Sequence, residues 1–301
     1  MRKGGYDDGF SAAITAGSAV IGPIFPPSIP LVIYGVIAGA SIGNLFLAGM
    51  VPGIILALAL CIYVCYIANK RNYPSGKRYA GMEFVRMTVS AIPALLTPVI
   101  LLMGIYTGIM TATEAGAVAA LYALLISVFA YRSITLSEFI QVLKNTVKST
   151  GQIGIMLGAA YVFSYVIAVE NLPSLAGNLI LSFATTKVSF LVFVNILLFI
   201  LGMLLDSAVL QLVLLPILCP IAQSFGIDMV HFGVVFTLNT MIGLCTPPFG
   251  MLLFIVTGIS GEKMNTIIKE VMPMVFVMVL VLILVTFVPD VIMWLPRLFG
   301  R

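Results

Sequence analysis

The chain has 301 residues, 61% of them hydrophobic and only 9% charged, with a mean hydropathy of +1.18. Soluble domains carry about 25% charge and roughly 45–50% apolar residues, so the composition excludes a soluble globular protein and places the chain in a lipid bilayer. The formal net charge is +4, and the 15 Lys and Arg sit at the ends of apolar runs without forming a basic face, which excludes nucleic-acid binding.

In chain order, Met1-Arg2-Lys3 is followed by Gly-Gly-Tyr-Asp-Asp rather than an apolar core, so no signal peptide is read here. Residues 10–38 are long enough to span but are interrupted by Gly22 and Pro26-Pro27. Four runs, 45–69, 92–110, 115–131 and 271–295, meet the requirement of about 20 apolar residues for a spanning helix. A fifth, 151–169, is looser and contains glycine. Residues 81–91 and 135–149 mix polar and apolar positions and are predicted to lie as amphipathic helices at the interface. The stretch 190–224 is apolar apart from Asp206 near its centre and is predicted to be a re-entrant hairpin with its tip at 204–208. Residues 231–258 are again long but interrupted, at Gly243 and Pro247-Pro248.

Lys and Arg collect on the cytoplasmic side of membrane proteins. With the N-terminus inside, Arg2, Lys3, Lys70, Arg71, Lys77, Arg78, Arg86, Arg132, Lys144, Lys148, Lys263 and Lys269 all fall inside, and only Lys187, Arg297 and Arg301 fall outside. Cys61, Cys65, Cys219 and Cys245 lie in apolar settings and read as small hydrophobes rather than a disulfide framework. The single histidine, His231, cannot build a transition-metal site with a second one.

The two interrupted spans are related. Aligned without gaps at an offset of 221, they match at Gly5/Gly226, Asp7/Asp228, Ile21/Ile242, Gly22/Gly243, Pro26/Pro247, Pro27/Pro248 and Leu31/Leu252. The shared core is Ile-Gly-x-x-x-Pro-Pro, and five predicted crossings separate the two starts, so the copies face opposite ways. Inverted repeats with Gly/Pro-broken helices mark secondary transporters and point to the binding site. Proline lacks an N–H and pushes its predecessor away from helical angles. The unwound backbone at mid-membrane must then be buried or line a polar cavity, where its carbonyls suit a hard cation. The following half-helix turns its positive end to the same place. A simple proline kink is the alternative.

Asp206 is the second strong feature, because a carboxylate at bilayer depth is costly and functional by default. It lies where a hairpin tip would meet the break at 243–248, with Ser207, Asn239, Thr240 and Thr246 supplying neutral oxygens nearby. Together they suggest a Na⁺ site; a polar cap holding the tip is the alternative reading. No Lys or Arg falls within a span, so an anionic substrate would be neutralised by cations and half-helix ends, which favours sodium coupling. An intramembrane enzyme would need clustered His, Asp or Glu, and a channel a charge ring or filter; neither pattern is present in the sequence.

Gly5-Tyr6-Asp7, Ser11 to Ala16, Ile21 to Pro30, Thr111 to Ala115, Gly202 to Asp206 and Asn239 to Gly250 resemble the large membrane subunit of tripartite ATP-independent periplasmic (TRAP) transporters, the DctM-like family. The match runs from Gly5 nearly to the C-terminus. It departs at Ala112, where the family usually carries proline, and at Cys245, where a hydrophobic residue is more usual.

The resemblance implies an all-α membrane protein of elevator type, built on an inverted repeat with broken helices and a re-entrant hairpin. It implies four regions: 1–40, the broken helix of the first repeat; 41–150, scaffold and interfacial helices; 151–261, the second repeat with hairpin 190–224 and broken helix 231–258; and 262–301, a C-terminal helix. It implies Na⁺-coupled import of an organic acid across the bacterial inner membrane: a C4-dicarboxylate, keto acid, sialic acid or sugar acid. The expected partners are a small membrane subunit and a periplasmic substrate-binding protein, with Na⁺ as coupling ion and no other cofactor. The cation sites would be Asp206, Ser207, Asn239, Gly243, Cys245 and Thr246, and Ser18, Gly22, Pro23 and Phe25. Thr15, Ser28, Thr240, Pro26, Pro27, Pro247 and Pro248 would meet the substrate. The repeat logic lacks a hairpin before the first broken helix, which is read as an N-terminal truncation. A binding-protein-independent divalent anion/Na⁺ symporter and an inactive remnant are the competing readings.

Overall fold

Paired prolines, glycines and short polar side chains mark several of the helix ends of this chain. The computed structural model describes residues 1, 4–74, 81–171, 180 and 184–299; Arg2, Lys3, Lys77, Arg78 and Arg301, invoked for orientation, lie outside the described residues. Helix α1 is Asp8–Ala19, α2 Ile29–Ala38 and α3 Ile42–Lys70. Helix α4 is Gly81–Tyr106, α5 Ala112–Leu125 continued by a π turn Ile126–Ala130, and α6 Leu136–Val169. Helices α7 (Lys187–Gly202) and α8 (Ser207–Ser224) form a hairpin. Helices α9 (Met229–Gly243), α10 (Met251–Ser260), α11 (Met264–Phe287) and α12 (Asp290–Phe299) complete the chain. No strand occurs among the described residues. Among the described residues, six helices are long and apolar enough to cross a membrane: α3, α4, α5 with its π turn, α6, α8 and α11.

Three expectations change. Residues 81–91 are not a separate interfacial helix but the first part of α4, which continues to Tyr106 with Pro93 and Pro98 inside it. Residues 135–149 likewise run unbroken into 151–169 as the 34-residue α6, because nothing stronger than Gly151 interrupts the helical register. At 1.5 Å per residue α6 is about 51 Å long, well beyond a hydrocarbon core of about 30 Å, so its polar first half extends past the apolar layer. The C-terminal region 262–301 is two helices rather than one. Val288 precedes Pro289 and leaves the helical region (φ −122°, ψ 74°), as the clash with a following proline favours, ending α11.

The chain forms two compact units, one of Met1–Ser75 with Ser164–Arg301 and one of Gly76–Phe163. In the first, α9 is the hub. Every residue from Val230 to Gly243 is buried, as expected of a helix apolar all round. Asp228 caps it, accepting from the Val230 and His231 N–H groups at 2.7 and 3.1 Å. Helix α7 packs along α9 through Phe190 and Phe232, whose ring centroids lie 6.3 Å apart. Helix α2 reaches it through Tyr34, whose hydroxyl donates to the Met229 carbonyl at 2.7 Å. Helix α11 is tied to it by His231 Nε2, 3.0 Å from the Val285 carbonyl oxygen.

One polar cluster joins α1, α3 and α11 at an end of this unit. Arg71 donates two bonds to the Glu270 carboxylate at 2.8 and 2.9 Å and reaches Asp7 at 3.4 Å. Its guanidinium also lies 5.2 Å from the Phe10 ring centroid. The Tyr73 hydroxyl donates to Asp7. In the second unit α4 and α5 are joined by Tyr122 donating to the Pro93 carbonyl at 3.0 Å, with Thr111 and Glu114 forming a capping box at the start of α5.

Candidate functional site

The first unit contains two helix–break–helix elements, α1–α2 and α9–α10, and the sequence matches recur as structural matches. Asp7 and Asp228 stand at the two N-caps. Gly5 and Gly226 both have positive φ, and both breaks hold a cis Pro-Pro bond, Pro26-Pro27 and Pro247-Pro248. Each break, residues 20–28 and 244–250, is followed by a ten-residue helix. The two elements touch near their breaks, where the Cys245 thiol donates to the Ala16 carbonyl at 3.1 Å.

The hairpin tip is the short turn between Gly202 and Ser207. It meets the second break through backbone. The Gly250 N–H donates to the Met203 carbonyl at 3.1 Å. Gly202 and Gly243 approach so closely that a Cβ on Gly243 would lie 2.6 Å from the Gly202 carbonyl carbon. Glycine at 243 is required for this contact, whereas a Cβ on Gly202 would meet Thr240 backbone atoms only at 3.3 Å.

Around it lie the oxygen-bearing side chains. Asp206 is half-buried and is the N-cap of α8, its Oδ1 accepting from the Ala208 N–H at 2.8 Å. The Ser207 and Thr240 hydroxyls lie 2.8 Å apart and are both buried. One turn further, Gln211 Nε2 lies 3.5 Å from Thr237 Oγ1. Asn239 turns toward α7, donating to the Asn195 side-chain oxygen at 2.8 Å and its backbone carbonyl at 2.9 Å. The side-chain carbonyl oxygens of Asn239 and Gln211 are buried without a hydrogen-bond partner among the described residues. Gly243, Cys245 and Thr246 are buried, and the Thr246 hydroxyl donates to the Ile242 carbonyl at 2.8 Å. Pro247 is half-buried and Pro248 exposed.

The first break is more open. Thr15, Ser18, Gly22, Phe25 and Pro27 are exposed, Pro23 is half-buried, and Pro26 and Ser28 are buried. Thr15 and Ser18 bond back to the Ser11 and Thr15 carbonyls at 2.9 and 3.4 Å. Ser28 caps α2, accepting from the Leu31 N–H at 3.3 Å while its hydroxyl donates to the Pro23 carbonyl. Thus Ser207 and Thr240 come together directly, beside Asp206 and Gly243, whereas the polar groups of the first break bond within their own segment. Sequence reading missed Asn195, Gln211 and Thr237. Polar residues one turn from Ser207 and Thr240 on otherwise apolar helices were the available signal.

The six apolar helices, two interrupted helices and a hairpin seated on one of them, all among the described residues, define a multi-pass helical membrane protein with a cluster of polar side chains where the hairpin tip meets the helix break. The family profile of the tripartite ATP-independent periplasmic transporter, DctM component, matches residues 1–291. The chain belongs to this family. It is 41% identical over 299 residues to the sialic acid TRAP transporter large permease protein of Vibrio cholerae, covering 99% of this chain and 70% of that protein. It is 38% identical to the sialic acid TRAP transporter permease protein of Haemophilus influenzae, covering 99% of this chain and 48% of that one. To the C4-dicarboxylate TRAP transporter large permease protein of Pseudomonas aeruginosa it is 35% identical, covering 100% and 70%.

Proposed function

We propose that this chain is the permease of a Na⁺-coupled, binding-protein-dependent secondary transporter that imports an organic acid across the bacterial inner membrane. The observation that carries the reading is the seat of the hairpin tip on the second break. There Asp206, the Ser207–Thr240 hydroxyl pair and a turn of unwound backbone converge. A hard cation takes oxygen ligands from carboxylates, hydroxyls and carbonyls. The Gln211 and Asn239 oxygens add buried acceptors that lack a donor.

In this proposal the second cation site draws on Asp206, Ser207 and the carbonyls from Gly243 to Thr246. Ser18, Gly22, Pro23 and Phe25 contribute to a first site, and the paired prolines with Thr15, Ser28 and Thr240 face the substrate. The two interrupted helices act as an inverted repeat, and the hairpin and broken helices move as an elevator against a scaffold. A small membrane subunit and a periplasmic substrate-binding protein complete the system. The names of the relatives supply the substrate class: sialic acid, C4-dicarboxylate and 2,3-diketo-L-gulonate. The test is uptake of labelled organic acids into proteoliposomes holding the permease and its small subunit. The binding protein is added outside, with and without an inward Na⁺ gradient. Uptake that needs both the binding protein and Na⁺ supports the reading. Uptake unchanged by omitting either overturns that part of it.

A further inference from the structure

Helices α7 and α9 run parallel, since Phe190 meets Phe232 and Asn195 meets Asn239. Among the described residues, the side-chain hydrogen bonds between these two helices are the pair that Asn239 Nδ2 donates to Asn195, at 2.8 Å to its side-chain oxygen and 2.9 Å to its backbone carbonyl. We infer that Asn195 is a positioning residue for the hairpin: its amide pins α7 to α9 in the register that seats Gly202 on Gly243. The consequence for transport rests on the cation reading given above.

The apolar part of the contact sets no register. The buried residues of α7 are Phe190, Leu191, Val194, Leu198 and Gly202, and apolar contact has no direction. In lipid it gives helices little preference for one another, because the surrounding chains are as apolar as leucine. At about 100° per residue, Leu191, Asn195, Leu198 and Gly202 share one face of α7, and Phe232, Asn239 and Gly243 share one face of α9. A slip of one turn, about 5.4 Å, would set Asn239 against Leu191 or Leu198. Asn239 has no exposed surface, so its side-chain N–H groups would be buried without an acceptor, which is costly for a polar group in hydrocarbon. A single buried asparagine fixes the register of coiled coils in the same way.

The partners of the two amides determine which way each one points. Asn195 Nδ2 donates to the Leu191 carbonyl at 2.8 Å, which leaves its Oδ1 to accept. Reversing Asn239 would set its oxygen against two acceptors. Reversing Asn195 would set two NH₂ groups together and its oxygen against the Leu191 carbonyl. The relay therefore runs one way and ends at the Asn239 side-chain oxygen, which is buried with no donor among the described residues. The same register delivers the hairpin tip. The Met203 carbonyl accepts from the Gly250 N–H at 3.1 Å, and the Ser207 and Thr240 hydroxyls lie 2.8 Å apart. Losing the pin loosens these oxygen-bearing groups as a set while altering none of them.

The experiment places the full chain in nanodiscs with the exposed Cys61 and Cys65 replaced by alanine and spin labels at Ile200 on α7 and Ile259 on α10, both exposed. Double electron–electron resonance then reads the seat of the hairpin on the second broken helix. The pinned chain is expected to give one narrow distance. Asn195→Leu, which keeps the bulk and removes the amide, broadens it toward a second population displaced by up to about 5 Å, one helical turn. In unlabelled proteoliposomes with the small subunit and binding protein, Asn195→Leu raises the Na⁺ needed for half-maximal uptake about fivefold at matched abundance, the worth of one ordinary hydrogen bond. Leu198→Ala is the control for packing alone: it lowers the melting midpoint and leaves the distance and the Na⁺ curve in place. If the leucine variant fails to fold, Asn195→Ala decides by the same readings. An unchanged distance in the Asn195 variants, or an equal shift in Leu198→Ala, overturns the inference. A shifted distance with an unchanged Na⁺ curve upholds the pin and counts instead against the cation reading.

Discussion

Replacing Gly243 by alanine places a methyl group 2.6 Å from the Gly202 carbonyl carbon and 2.7 Å from its Cα. These are backbone atoms, so no rotamer change relieves the clash, and α7 and α9 must separate at the hairpin tip. Overpacking of this kind costs about 1–3 kcal/mol. At roughly 2–4 °C per kcal/mol the melting midpoint falls by about 2–12 °C. Gly202→Ala is milder, because its nearest neighbours are Thr240 backbone atoms at 3.3 Å. Gly258→Ala meets nothing within 4 Å and gains helix propensity of up to about 1 kcal/mol. The expected order of midpoints is Gly258→Ala at or above wild type, then Gly202→Ala, then Gly243→Ala. Thermal unfolding followed by size-exclusion chromatography in mild detergent measures it. Uptake at matched abundance should fall in the same order, since parting the tip also breaks the Gly250–Met203 bond. A Gly243→Ala protein that melts with wild type would refute the close approach.

Arg71→Ala removes the bidentate Glu270 pair and the stacking on Phe10; it is expected to cost about 1 kcal/mol, read as a lower midpoint. Arg71→Lys recovers less than half, because an ammonium cannot reproduce the two-bond fork. Burial first, and the hydrogen bond to Asp7 second, hold the Tyr73 phenol above its ordinary range. The raised value means that its stabilisation is whole below about pH 10 and is lost as pH rises through the folded value. Ultraviolet titration of wild type against Tyr73→Phe should show one phenol ionising late, and a difference spectrum with an ordinary midpoint would reject this.

Both breaks were legible in the sequence because glycine and paired prolines occur together there, at Gly22 with Pro26-Pro27 and at Gly243 with Pro247-Pro248, whereas single prolines such as Pro93 and Pro98 are carried inside a helix. The hairpin was legible because a carboxylate inside an apolar run has few places to go, and Asp206 indeed lies at the turn between α7 and α8. The separation of interfacial from spanning segments was not legible. Polarity changes at residues 91 and 149, but helical hydrogen bonding does not depend on polarity, and α4 and α6 run through both points. The Asn195–Asn239 pair escaped detection for a different reason. Each asparagine alone resembles any polar residue on a membrane helix, and only the parallel packing of α7 on α9 makes them neighbours.

Asp206 combines two roles that a single substitution would confound. Its Oδ1 caps α8 on the Ala208 N–H, yet a carboxylate has two oxygens and about four acceptor directions. One oxygen therefore holds the tip while the other remains for the proposed Na⁺. Asparagine caps a helix as well as aspartate does, whereas alanine loses about 0.5–2 kcal/mol. Asp206→Ala is thus expected to lower stability, and Asp206→Asn to leave it within a few tenths of a kcal/mol. The asparagine variant loses only the charge. Losing a charge-assisted contact of about 1.5–3 kcal/mol raises the Na⁺ needed for half-maximal uptake about tenfold or more. The comparison is a Na⁺ titration of uptake for wild type and both variants at matched abundance. Suppose instead that Asp206→Asn is as unstable as Asp206→Ala and the surviving protein keeps the wild-type Na⁺ curve. Asp206 is then a cap alone, and the cation, if one binds at the tip, is held by neutral oxygens.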